Sequence, residues 1–435
     1  MKCCVIIPVG PGHKELSQRV ISSIEQAIAN GIGGFSEVEI LPQDDTLGQG
    51  RSRARNLGVA EAGRRGADWI FFIDADELMA PNAFNDVQHL LDDYDAIWGA
   101  IYEANLATQQ ASRRANDVAP ITTLEQVLIN HPFLTLHNGH FVRHKVADAH
   151  PFNTEMDCGE DFEYYLRIWR DSRCIKIESP LFFNIRGQHS TGPRAATGKD
   201  WNEAMPRVFT SFCLQNDVVA NIPLGEVAAS LRLSNTLDPL QNQLANEQLA
   251  EAGELNELLQ RLPDNGSVLD VGAHIGSHSI CLALLGKAAK VDAFEKDRIL
   301  STLLEYNLRL NNLGEDAYHV HRLEVGCPYS LAEITDRFGR IALDKLVTNS
   351  ADTSLDAVLP DNASYDLIRV SLNGQELDAL QGARQIVQRC RPLVLIKANN
   401  GSHPKLERWL TENNYRQVGS FDHGAYSNRL LAPAN

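Results

Sequence analysis

The chain has 435 residues, of which 43% are hydrophobic and 22% charged, the balance of a soluble globular protein with room for two or three cores. Its net charge of −16 opposes a general affinity for nucleic acid or an anionic membrane, because phosphate contacts need lysine and arginine. No apolar run approaches the roughly 20 residues of a membrane span.

The N-terminus enters a strand at once, Cys3-Cys4-Val5-Ile6-Ile7-Pro8-Val9. No basic stretch followed by a long apolar one precedes it, so no secretory leader is expected and the expected compartment is the cytoplasm. Eight cysteines occur without a Cys-x-x-Cys pair or histidines at zinc spacing. They are expected to be buried reduced thiols.

Strands and helices then alternate. A helical pattern runs to about Asn30, and a second strand, Val38-Glu39-Ile40-Leu41, leads into Asp44 and Asp45. A helix is expected from about Gly50 to Arg65, and the apolar run Trp69-Ile70-Phe71-Phe72-Ile73 reads as a buried strand. This alternation predicts a parallel sheet covered by helices. From about Asp200 to Arg261 the pattern is mostly helical, and a new alternation starts at Ser267-Val268-Leu269-Asp270-Val271.

The first half carries a donor-site pattern. Ligands of open α/β sheets bind outside the carboxyl ends of the strands, where Asp74-Ala75-Asp76 stands. Two carboxylates there can hold Mn²⁺ or Mg²⁺, hard cations that take oxygen ligands and bridge to phosphates. Taken alone, such a pair is also an ordinary solvated turn. Pro8 and Gly10 begin a loop that lets a ligand approach the backbone. Asp44 and Asp45 can accept from a base or ribose, and Arg53 and Arg55 can donate to a diphosphate.

These pieces together resemble the GT-A glycosyltransferases of the family 2 type, over about residues 2–195. The matching segments are Val5–Val9, Ala54-Arg55-Asn56-Leu57-Gly58-Val59-Ala60 and Trp69–Glu77. The resemblance implies a nucleotide-diphospho sugar donor, with Asp44 or Asp45 on the base, Asp76 on the metal and Asp74 facing the nucleotide. Gly159-Glu160-Asp161 matches the family's "GED" run, which implies Asp161 as general base and Glu160 as holder of acceptor hydroxyls. His189, after the last core strand, is the candidate third metal ligand.

The second half carries a cofactor pattern. Asp270-Val271-Gly272-Ala273-His274-Ile275-Gly276 joins a strand to a helix, and Glu295 ends the next strand, where an acid can grip a ribose. Asp270, Gly272, His274, Gly276 and Glu295 form an expected S-adenosylmethionine site, the carboxylate of Asp270 receiving the cationic tail. The segment resembles the FkbM-type methyltransferases over about residues 263–432, through the Asp270–Ser277 loop, Ala293–Asp297, Glu305–Asn312, Ser354–Asp356 and Tyr365–Glu376. Three acidic positions of that family are lost: Ser371, Asn373 and Lys397 stand in their places, and His274 replaces the usual asparagine.

The expected architecture is α/β, with a GT-A domain over 1–200, a helical connection over 201–262 and a Rossmann-like S-adenosylmethionine methyltransferase fold over 263–435. The expected function is metal-dependent transfer of a sugar to a glycan acceptor, in surface polysaccharide synthesis. The second domain either methylates or serves as a scaffold or partner-binding module. Glycosylation of nucleic acid is a third reading, which the charge disfavours. Nothing in these motifs encodes the oligomeric state.

Overall fold

Strand β1, Lys2–Val9, is apolar at nearly every position, as a strand covered on both faces must be. It lies between β2, Glu37–Asp44, and β3, Trp69–Phe72, and pairs in parallel with both. The computed structural model describes residues 1–45, 47–185, 198–326, 353–398 and 403–434. These fall into two compact units: Met1–Asn216 with Asn235–Asp238, and Asp217–Ser234 with Pro239–Asn435.

In the first unit the sheet continues through β8 (His140–Arg143), β5 (Ala96–Gly99) and β9 (Cys174–Ile177), in the order β2-β1-β3-β8-β5-β9. A second sheet has the order β4 (Leu78–Met79), β10 (Phe182–Ile185), β6 (Tyr102–Asn105), β7 (Gln110–Arg113). The core gathers Val5, Ile7, Trp69, Phe71, Ile97 and Phe141 from the large sheet with Val20 and Ile24 of the helix Lys14–Asn30. The helix Arg51–Arg64 packs on β1 and β2 so closely that a Cβ on Gly58 would lie 2.5 Å from Ile6 Cγ2. That contact explains the glycine in the Ala54–Ala60 motif.

In the second unit the order is β15 (Tyr318–His321), β14 (Ala288–Phe294), β13 (Gly266–Val271), β16 (Leu367–Val370), β17 (Leu393–Ala398), β19 (Ser427–Pro433), β18 (Tyr415–Asp422). β15 to β17 are parallel, while β19 runs antiparallel to both its neighbours. Strand order reverses between β13 and β16, and such a switch point opens a crevice at the carboxyl ends.

Residues 201–262, expected as a helical connection, are divided. The helix Lys199–Gln215 belongs to the first unit, while the helix Ala252–Arg261 belongs to the second. Between them lies an unexpected hairpin, β11 (Val219–Leu224) with β12 (Val227–Arg232). Its buried residues alternate, Ala220 and Ile222 on one strand and Ala229 and Leu231 on the other. The two-residue turn starts with Gly225 at φ +80°, the glycine-first turn that suits strand twist.

The Gly58 contact is testable. Gly58→Ala should destabilise the chain by about 1–3 kcal/mol through overpacking, read as the urea midpoint. The neighbouring, exposed Leu57→Ala should stay within about 0.5 kcal/mol.

Candidate functional site

Because β1, β2 and β3 are parallel, Gly10, Asp44, Asp45, Asp74 and Asp76 all lie at one sheet edge. The helix Arg51–Arg64 brings Arg51 and Arg55 there on one face, since residues four apart are neighbours on a helix. Arg55 is only 2% exposed. Its Nη2 donates to Asp74 Oδ1 at 2.7 Å and its Nη1 reaches Glu160 Oε1 at 3.5 Å. Arg51 Nη2 donates to Glu160 Oε2 at 3.0 Å, and Arg51 Nε also pairs with Oε1. The four side chains form a chain of alternating charge, Asp74–Arg55–Glu160–Arg51.

Each burial in this chain is matched by an opposite charge. Burial alone would raise the Asp74 carboxyl, but Arg55 and Arg51 outweigh it and hold the group below its ordinary value. Glu160, fully buried, is pushed up by burial and by neighbouring Asp161 against the pull of both arginines. Glu160 therefore braces the arginines. The role expected for it, holding acceptor hydroxyls, has no exposed oxygen to work with.

Asp161 follows in the first turn of the helix Glu160–Asp171 and is half-buried, its Oδ1 accepting from the Phe162 backbone N–H at 2.8 Å. Gly159 opens that helix at φ +82°, where a Cβ would lie 2.7 Å from Met205 Cε. The glycine thus fixes the direction in which the two acids leave the chain.

Two further groups, not anticipated from the sequence, face the Asp74–Asp76 strand end. Buried Glu77 accepts from the Asp74 backbone N–H at 3.3 Å, and His137 Nδ1 stands 3.3 Å from its other oxygen. Burial, then the charges of Asp74 and Asp76, push Glu77 well above the carboxylate range. The strand end therefore concentrates negative charge. His137 stacks on Phe182 with centroids 5.0 Å apart, and burial, then Arg114, lower its pKa to about 4.

The remaining donor-site expectations divide. Asp45 is buried, and both its oxygens are engaged by backbone: Gln49 N–H at 2.6 Å and Gly50 N–H at 3.1 Å. It shapes the turn before the helix and offers little to a base. Asp44, beside it, is exposed and better placed to meet one. Arg53 is exposed and, two residues from either member of the Arg51/Arg55 face, lies on another side of the helix. Pro8 is buried in β1 and Gly10 half-buried after it. His189 lies outside the described residues. Among the described residues no group of three or more His, Cys, Asp or Glu could hold a metal ion. Asp74 and Asp76 alone would suit a hard cation that completes its shell with water and phosphate oxygens. A cavity of about 680 Å³ lies elsewhere in this unit, lined by Cys158, Arg167, Glu203 and Phe212 among others; none of the strand-end acids lines it.

In the second unit the switch-point crevice holds a cavity of about 240 Å³, lined by Gly272, His274, Glu295, Arg369, Ser371, Asn373 and Lys397 among others. Glu295 is tied by His274 N–H at 3.0 Å and Asp297 N–H at 2.9 Å. Each of its oxygens keeps a second lone pair for a ribose hydroxyl.

The other expected cofactor groups have internal partners. Asp270 is 1% exposed. Its Oδ1 accepts from Arg369 Nη1 at 3.0 Å and its Oδ2 from Ser279 Oγ at 2.6 Å. Buried in this way and absent from the cavity lining, it does not present itself to a cofactor's cationic tail. Gly272 (φ +78°) is required because a Cβ would collide with the Ser371 carbonyl oxygen. Gly276 (φ +89°) is required by Leu304. Both glycines thus answer to packing inside the unit. Arg369, absent from the expected site, also reaches Glu251 Oε2 at 3.3 Å, and Tyr426 donates to Glu251 Oε1 at 3.1 Å.

Residues 24–153 match the family model of glycosyl transferase family 2, and residues 270–417 that of the methyltransferase FkbM domain. No curated protein matches. Among solved structures the chain is similar to S. aureus TarS 1–349 in complex with UDP-GlcNAc, at 14% identity over 50% of this chain and 68% of that one, TM-score 0.37. It spans 40% of the longer TarS chain. It is also similar to ribosomal protein L11 methylase from Lactobacillus delbrueckii subsp. bulgaricus, at 19% identity over 42% and 78%, TM-score 0.31. Each family match covers less than half of the chain. The first family match contains Asp44 to Asp76 and stops before Glu160 and Asp161.

Two expectations follow from the ion chains. Arg55→Ala leaves Glu160 buried beside a single arginine and should cost about 3–5 kcal/mol, measured by denaturant unfolding. In the second unit burial opposes the charge of Glu251, but Arg369 and then His278 outweigh it and bring its pKa to about 2, below the ordinary 4.5. A depressed carboxyl stabilises the fold above 4.5 and loses that contribution as pH falls towards 2. Glu251→Gln should flatten the stability curve across that window, followed by thermal melts at stepped pH.

Proposed function

We infer that this chain, which carries a glycosyl transferase family 2 domain and a methyltransferase FkbM domain, moves a sugar from a nucleotide-diphospho sugar to a glycan hydroxyl at the Asp74–Asp76 strand end. The observation that carries this reading is the Asp74–Arg55–Glu160–Arg51 chain at the carboxyl edge of three parallel strands. It holds one carboxylate of the strand end in place and brings the exposed Arg51 guanidinium to where a diphosphate would lie.

In this reading Arg51, whose side chain is exposed, holds negative charge on the departing diphosphate, while buried Arg55 fixes Asp74. Asp74 and Asp76 would hold Mn²⁺ or Mg²⁺, which supplies Lewis-acid stabilisation of the leaving group. Asp161 takes the acceptor's hydroxyl proton as that oxygen bonds to the anomeric carbon. The bond from that carbon to the diphosphate breaks, and the nucleoside diphosphate departs with its electron pair. A single displacement of this kind inverts the anomeric centre. Among the described residues no helix is long and apolar enough to cross a membrane, and we place the reaction in the cytoplasm, where a sugar chain destined for the cell surface is extended.

The test is transfer or donor hydrolysis with UDP-, GDP-, CDP- and dTDP-sugars, with Mn²⁺, Mg²⁺ or EDTA. Asp76→Ala should abolish metal-dependent turnover with the melting temperature retained; EDTA-insensitive turnover in that variant would overturn the metal's part. Asp161→Asn should cut the rate by about 10²–10⁴-fold with donor affinity little changed. A variant keeping more than half its rate would assign the base elsewhere.

A further inference from the structure

His137, in the first unit, stands just before β8 with its ring stacked on Phe182, the planes 18° apart. Gly139 makes that seat possible. At φ +93° it has no Cβ, and one built there would lie 2.3 Å from the Phe182 ring.

The contacts of the imidazole decide what it can do. Nδ1 lies 3.2 Å from the Asn138 carbonyl oxygen and 3.3 Å from Glu77 Oε1. A carbonyl only accepts, so Nδ1 carries the hydrogen and Nε2 keeps a lone pair. Nε2 has no partner among the described residues and is not sealed from solvent, the side chain being 27% exposed. Burial and the charge of Arg114 keep the ring unprotonated, so this nitrogen is a neutral acceptor near pH 7.

The position of the ring is tied to the strand end. Glu77 closes the turn after Asp76: its N–H donates to the Asp74 carbonyl at 3.1 Å, and its Oε2 accepts from the Asp74 N–H at 3.3 Å. The other oxygen of the same carboxyl meets His137. The charges of Asp74 and Asp161 both act on the ring, so it stands within electrostatic reach of the strand end and of the base. A sugar joined to a diphosphate at Asp74 and Asp76 must place its anomeric carbon between those two points to react. Its hydroxyls are donors, and an open acceptor at that place selects for one of them.

We propose that His137 reads one hydroxyl of the donor sugar through Nε2, with Glu77 and the Asn138 carbonyl as positioning groups that hold the tautomer. The inference rests on the transferase reading of this unit and adds the residue that selects the sugar.

Donor hydrolysis, run without a glycan acceptor, tests it, because only the donor can then touch His137. The parent chain is assayed with the UDP-, GDP-, CDP- and dTDP-sugars, and the fastest donor is compared with its deoxy analogues, each lacking one hydroxyl. An asparagine amide reproduces the Nδ1 donor of histidine, and a glutamine amide reaches the position of Nε2. His137→Asn should therefore keep its melting temperature and lose roughly tenfold in kcat/KM, the loss of one hydrogen bond, while His137→Gln should keep most of the rate. One deoxy donor should cost the parent a similar factor and cost His137→Asn nothing further. His137→Phe keeps the stack on Phe182, should show the same loss, and serves should His137→Asn fold poorly. A side chain needed only for packing the turn gives the reverse order, with Asn active and Gln impaired. That order, or deoxy losses that add in full to the loss in His137→Asn, would overturn the proposal. Hydrolysis that Asp76→Ala abolishes but every His137 variant retains would overturn this inference alone. Hydrolysis of no donor by the parent would overturn the transferase reading, and this inference with it.

Discussion

The first unit is organised around one constraint: a guanidinium taken almost wholly out of water. Desolvating an ion costs several kcal/mol, and the cost is offset only where geometry and partners are good. Arg55 meets that condition with Asp74 on one side and Glu160 on the other. Asp74 comes from the end of a central strand, Glu160 from the start of a helix more than eighty residues later. Satisfying one cation therefore fixes the distance between the strand edge, where a donor would lie, and the helix start, where a base would stand. Positioning of reacting groups is worth much of a catalytic barrier, and here it follows from the pairing rules of a buried charge.

The second unit uses the same device for another end. Arg369 is held by Asp270 and Glu251, so an acid at the end of the first strand of this sheet supports the floor of the crevice. The two units thus place similar buried arginines under strand ends of similar kind. In one the acid stays partly accessible at the edge; in the other it disappears beneath it. The difference decides which chemistry each crevice can offer.

Much of this was legible in the sequence. β1 and β3 announce themselves as apolar runs, and parallel pairing follows from the alternation of strands with helices. Asp74, Asp76, Asp161 and Glu295 were placed from their positions at strand ends and a helix start. What the sequence obscured was partnership. Whether Asp270 or Asp45 faces a ligand depends on which donor reaches it first, and those donors, Arg369 and the Gln49–Gly50 amides, are set by folding. Arg51 was recoverable, because it lies four residues before Arg55 on one helix face. The hairpin Val219–Arg232 was recoverable too: its period-two burial and its glycine turn were present, but lay inside a stretch whose composition reads as helix. Gly272 and Gly276 show the converse. Their pattern is the same whether a ligand or Leu304 demands it.

The path of the backbone through the two units has a practical consequence. The chain leaves the first unit after Asn216, returns for Asn235–Asp238 and leaves again. Neither unit is one uninterrupted stretch of polypeptide, so no single cut yields two intact pieces. A fragment beginning near residue 263, where the strand pattern restarts, would lack the hairpin and also Glu251 and Glu254. Arg369 would then keep only Asp270, and His423 and Asn428 would lose their carboxylate. Such a fragment would carry every motif of its family and still miss the acids that complete its interior. Fragments for separate study are better divided between residues 216 and 217, where the second keeps its buried partners and the first forgoes four residues.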